Sequence, residues 1–226
     1  MNNSVVSGSE SKGFADSAAE CFRENERFLL REARDVINEA TELANDSIDY
    51  IGVCLQRKPE QAMHFFGMYV LGSTSYSVFT NLLAGALPTC FRELRFLLET
   101  LAKCYVVDKE ETDFDFPKDR QGKRRAAEIT VVRKFDTYLN LGDKSVELWQ
   151  SLSGESHTEQ FVKRVIDNIL ERDNLPTYAM PLPMTYTRKE LDELNELRDY
   201  IVRIREIMKV GLIDGIPDES KGVWLK

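Results

Sequence analysis

Apolar residues recur along most of the chain at spacings of three and four, and no stretch alternates convincingly with period two. That is the pattern of amphipathic helices packed on one another, and it predicts an all-α bundle of about six to seven helices. The first helix is expected to open at Ser17-Ala-Ala-Glu20, which fits a capping box. Leu29, Ala33, Val36, Ala40, Leu43, Ser47, Ile51 and Cys54 then carry the period to about Arg57. Unbroken, this long N-terminal helix would span ~60 Å. Asn45-Asp46-Ser47 is its weakest point, and Lys58-Pro59 ends it, because the residue before proline avoids the α region.

A second helix is predicted from Pro59 to about Leu83, apolar around most of its circumference. Gly67 and Gly72 are costly inside a helix unless a neighbour approaches closely there. Gly85 suits a helix C-terminus and Pro88 the next N-terminus, giving a tight antiparallel turn. The third helix then runs to about Asp108–Glu111. Cys90, Phe91, Leu94, Leu97, Leu98, Leu101, Ala102, Cys104 and Tyr105 fill a continuous arc of it, so it is read as the central helix. Arg95 and Glu99 stand at the edge of that arc and need partners there.

Further helices are expected over about Arg120–Leu141, Lys144–Leu152 and Ser156–Asp173, the last opened by the capping box Ser156-His-Thr-Glu159. An irregular stretch with Pro176, Pro181 and Pro183 follows. A third capping box, Thr187-Arg-Lys-Glu190, opens the final helix, read through Val210. The chain is therefore divided into a disordered lead-in (1–13), one helical domain (14–210) and an irregular tail (211–226).

Composition narrows the function classes. A net charge of −8 argues against a dedicated nucleic-acid binder. No apolar run is long enough for a membrane span, and the N-terminus lacks the apolar core of a signal peptide. Cys21, Cys54, Cys90 and Cys104 form no C-x-x-C pair and read as small core residues, which points to a cytoplasmic chain. With His64 and His157 the only histidines, and no Glu-x-x-His signature, no metal site and no cofactor are expected. Walker, dinucleotide-binding and nucleophile-elbow motifs are absent.

Some polar features remain to be placed. Arg95 and Glu99, four apart, can pair along one face, although Arg-then-Glu is the weaker order for an isolated helix. Partners on other helices are thereby favoured. His157 stands at a capped helix start, where the helix dipole keeps the ring neutral. His64, between Met63 and Phe65, reads as a satisfied core histidine. From Lys118 to Lys134 the chain is locally basic, with Lys118, Arg120, Lys123, Arg124, Arg125, Arg133 and Lys134 against Asp119 and Glu128. That segment could hold a phosphate backbone, or complement the acidic surface of another helix or subunit, or the acidic run Asp108–Asp115 just before it.

Leu94-Arg95-Phe-Leu-Leu-Glu99 follows the small-residue turn Ala84-Gly85-Ala86, and Leu148-Trp149-Gln-Ser-Leu152-Ser153-Gly-Glu-Ser-His157 comes about fifty residues later. The pair resembles a group of prokaryotic all-α proteins of unknown function, with an L-R-x-x-L-E helix before an L-S-x-x-x-H turn. That group is similar to the HEPN superfamily (higher eukaryotes and prokaryotes nucleotide-binding domains). The resemblance covers about residues 60–175. It implies a helical bundle, often dimeric, in defence, toxin–antitoxin or RNA-processing settings. Active members cut RNA without metal, an arginine shortly ahead of a histidine holding the phosphate while the histidine moves a proton. Here Gln150, Ser151 and Leu152 stand where that arginine would be.

The preferred reading is a non-catalytic, HEPN-like binding or interaction module, acting as a homodimer, with Arg95, Glu99 and His157 as a polar cluster between helices. RNA is a partner only on the resemblance, and no membrane is expected. The first alternative is a metal-independent ribonuclease using His157 with Arg92 or Arg95. The second is a small-ligand site in the bundle beside Gly67 and Gly72.

Overall fold

A computed structural model of the chain describes residues 9–111, 124–155 and 185–214, and within these every regular element is helical. In chain order they are α1 (Ser9–Glu32), α2 (Arg34–Cys54), α3 (Ala62–Phe65), a π-helical stretch (Phe66–Leu71), α4 (Gly72–Leu83), α5 (Leu87–Glu110), α6 (Arg124–Leu139), α7 (Lys144–Glu155), a 3₁₀ turn (Arg188–Glu190) and α8 (Leu191–Ile213). The all-α expectation holds. The expected helix at Ser156–Asp173 and its capping box lie outside the described residues.

The long N-terminal helix is two helices, and it does not break at Asn45–Ser47. Ala33 leaves the helical region at φ −143° and ψ 44°, between α1 and α2. Neither glycine nor proline causes this. Ala33 is buried, and the Arg34 Nε donates to the Leu30 carbonyl freed by the break, at 3.2 Å. The bend lets α1 pack on α2 and α4, whereas a straight helix of that length would overshoot the domain. Helix is already formed at Ser9, so Ser17 lies inside α1 and residues 9–13 belong to it.

α5 is central, as its apolar arc predicts, and packs on α3, α4, α6, α7 and α8. All nine arc residues are buried. Gly85 sits at φ 73° in the turn before it, and Pro88 occupies its first turn. α3, the π stretch and α4 run on without interruption, antiparallel to α2. A Cβ on Gly67 would lie 2.2 Å from the Cys54 Cβ, and one on Gly72 would lie 3.1 Å from the Ile51 Cδ1. The glycines therefore serve close helix approach, and the room beside them is filled by Cys54 and Ile51.

Two helices are started by carboxylates from elsewhere. Asp108 on α5 accepts the amides of Ala62 and Met63, at 2.7 and 2.9 Å, where α3 has no side-chain cap of its own. Asp136 on α6, buried, accepts those of Ser145 and Val146 at 3.1 and 3.0 Å, at the start of α7. Each supplies acceptors to orphan N–H groups and negative charge to the positive end of a helix dipole. Asn25 ties α1 to α4 and to the segment that precedes the 3₁₀ turn. Its amide donates to the Leu83 carbonyl at 2.8 Å and accepts from the Tyr186 amide at 2.8 Å. Thr187 and Glu190 make the expected capping box, and α8 continues to Ile213, past the expected end at Val210.

All four cysteines are free and buried, as their positions in the apolar pattern predict. Burial pushes the Cys54 thiol up to about 11 and the Cys90 and Cys104 thiols higher still. At pH 8 the folded protein is therefore expected to resist a thiol-specific chromogenic reagent and to react fully once denatured. The same shifts give a direction for alkaline stability. An unfolded chain ionises these thiols near pH 9 while the folded one keeps them neutral, so their contribution is complete below pH 9 and is lost as pH rises toward 11. A denaturant midpoint rising between those pH values would contradict this.

Candidate functional site

The two charges at the edge of the α5 arc do find partners on other helices. One turn apart, Arg95 Nε donates to Glu99 Oε1 at 2.7 Å. The indole Nε1 of Trp149, on α7, donates to the same oxygen at 2.6 Å. The guanidinium carbon lies 5.1 Å from the centroid of the Trp149 ring, a cation–π arrangement. Arg95 Nη2 also reaches Glu128 Oε2 on α6, at 3.5 Å. Arg95 and Glu99 keep 19% and 22% of their side-chain surface exposed, so the group lies at the border of core and solvent.

Local sequence explains who is there. Leu148, Trp149 and Leu152 form the apolar face of α7, and that face docks on α5. A buried indole N–H needs an acceptor, and Glu99 is the carboxylate within reach. Trp149 and Glu128 were not legible as site residues. The one signal for Trp149 was a polar N–H on an otherwise apolar face.

The other expected site residues fare differently. Arg92 is 67% exposed and pairs with its neighbour Glu93 at 3.4 Å, so it takes no part in the cluster. His157 lies outside the described residues, as do Lys118, Arg120 and Lys123 and the side chains of Arg124 and Arg125. Arg133 and Lys134 are exposed on α6. Lys134 pairs with Glu110 at 2.8 Å. Glu110 is held below the usual carboxylate range by hydrogen bonds from Lys134 and Tyr138.

Two further polar groups escaped sequence reading. Arg205 on α8 is ringed by α2 carboxylates. It bonds Asp46 through Nε at 2.8 Å, pairs with Glu39 through Nη1, and lies 3.7 Å from Glu42. Arg57 Nη2 closes the end of α8 by donating to the carbonyls of Leu212 and Asp214, at 3.1 and 2.6 Å. Tyr105 donates to Asp214 Oδ2 at 2.5 Å, and burial with that carboxylate holds the phenol well above its usual range. His64 has Nδ1 3.2 Å from the Arg57 carbonyl oxygen, so it is satisfied as expected, but it is half-buried rather than a core residue. Both groups cross-link helices.

Among the described residues no group of three or more His, Cys, Asp or Glu could hold a metal, and no helix is long and apolar enough to cross a membrane. No protein-family model, curated protein or solved structure matches this chain.

Proposed function

We propose that the chain is a non-catalytic helical binding or interaction module of the HEPN-like kind, working as a homo-oligomer. The observation that carries the first part is the state of Arg95. Its guanidinium is clasped by Glu99 and Glu128 and lies over the Trp149 ring. A phosphate-holding arginine must present its donor fork to the ligand. Here that fork faces carboxylates of the chain itself, and an anion would have to displace them. The stretch before His157 supplies no substitute, since Gln150, Ser151 and Leu152 carry no charge and Leu152 is fully buried. The cluster instead joins α5, α6 and α7 and sets their register.

Incubating the full chain with total RNA in the presence of a chelator, beside His157→Ala, tests this. The expected result is intact RNA with both proteins. Cleavage by the wild type that disappears in His157→Ala would establish the ribonuclease and overturn the proposal.

A further inference from the structure

One helix face stands out among the described residues. Between Glu60 and Arg92 the chain contains no Asp, Glu, Lys or Arg, and this charge-free segment forms the continuous helix from α3 to α4. Three close approaches mark its seam with α2. Cys54 faces Gly67, Ile51 faces Gly72, and the Ser47 and Ser75 hydroxyls are 2.7 Å apart. A step of one residue turns a helix by about 100°. In an antiparallel pair that step carries both helices to the same side of the seam. Leu55 and Met68 are one step beyond Cys54 and Gly67, and Ile48 and Tyr76 are one step beyond Ser47 and Ser75. They are exposed by 47%, 48%, 67% and 61%, with Tyr69 at 66% beside them. α5 and α8, which pack on each other and on this pair, cover the opposite side.

The α2 half of the face is uncharged too. Thr41, Ala44, Ile48, Ile51 and Leu55 lie along it, with exposed Asp49 one further step of about 100° round the helix from Ile48, while Glu39, Glu42 and Asp46 are turned to Arg205 on α8. Aromatic and methionine side chains without charge are the composition of an interface centre. A buried tyrosine contributes on the order of 200 Å², so the five exposed side chains offer roughly 600 Å². Half-buried Phe65, Ile51, Phe79 and Leu83 extend this toward the ~800 Å² each partner gives a standard interface.

We propose, building on the homo-oligomer inferred above, that this α2–α4 face is the surface on which a second copy of the chain docks about a two-fold axis. Two chains of net charge −8 repel over most of their surfaces, and here they meet without opposed carboxylates. A partner chosen by charge would find nothing to read. An anionic membrane surface would require basic residues around the face, and the segment between Glu60 and Arg92 contributes no Lys or Arg. α5 stands between α4 and the α6–α7 pair, so docking here leaves the Arg95 cluster of each copy away from the interface.

The test is sedimentation equilibrium of the full chain up to about 100 µM, a range that resolves Kd values of roughly 1–40 µM. The variants are Tyr69→Glu/Tyr76→Glu on the face and Val210→Lys, an exposed apolar position on α8. Circular dichroism should show all three folded. The wild type and Val210→Lys are expected to dimerise alike, and the double glutamate variant at least ~30-fold more weakly, as for a charged group placed at a hot spot. A dimer untouched by the glutamates overturns the surface but leaves the homo-oligomer standing. A wild type that stays monomeric overturns both, and would hand the face to a different protein.

Discussion

Gly67→Ala is expected to destabilise the protein by roughly 3–5 kcal/mol, lowering the melting temperature by about 10 °C. The added Cβ would lie 2.2 Å from the Cys54 Cβ. Both atoms are attached directly to helix backbones, so no rotamer relieves the overlap, and α2 must move away from the π stretch by more than ~1 Å. Gly72→Ala is the internal control. Its Cβ would meet only the flexible end of Ile51, at 3.1 Å. The gain in helix propensity, up to ~1 kcal/mol, offsets that contact, so the variant should stay near wild-type stability or exceed it. Cys54→Gly removes the atom that Gly67→Ala strikes. In that background the alanine should cost much less, and denaturant melts of the four proteins would give the coupling energy directly. If Gly67→Ala is as stable as the wild type, the two helices do not meet at this register.

Asp136→Ala is expected to cost about 2–4 kcal/mol, because it strands the buried amides of Ser145 and Val146 at the start of α7. Asn keeps an acceptor but not the charge, so Asp136→Asn should lose about half as much. Ser145→Ala, one bond away, should be neutral or slightly stabilising, since the buried Ser145 hydroxyl has no hydrogen-bond partner. The damage should also be local. α7 carries Trp149, so loosening its start releases the indole from Glu99 and from the Arg95 guanidinium. In a Trp224→Phe background, Asp136→Ala should shift Trp149 emission to longer wavelength below the unfolding transition. An unshifted spectrum in a destabilised variant would mean that α7 is anchored by its apolar face alone.

Much of the fold was legible because local rules and burial agree. The α5 arc predicted the central helix and its buried residues, since any helix apolar over so wide a face must be covered by several neighbours. Thr187 and Glu190 marked the start of the last helical run, because both halves of a capping box lie within one turn. Gly85 and Pro88 marked the turn into α5. Other features left no local trace. Ala33 keeps the helical period of its neighbours, so the break there was invisible. The π stretch inserts its register change into a segment apolar nearly all round, where a shift of one residue alters no pattern.

The site was legible only in part. Arg95 and Glu99 could be singled out as charges at an apolar edge, but not what they touch. Glu128 and Trp149 come from helices 33 and 50 residues away along the chain. The same holds for Arg205, whose carboxylates are 159 and 166 residues distant. By itself the sequence determined the class of fold, which faces are buried and where several helices begin, because these follow from periodicities and caps spanning a few residues. The tertiary structure alone decided which carboxylate starts which helix, what clasps Arg95, and which apolar side chains of the described residues are exposed together. Those are contacts between residues far apart in the chain, and no period or cap within one helix encodes them.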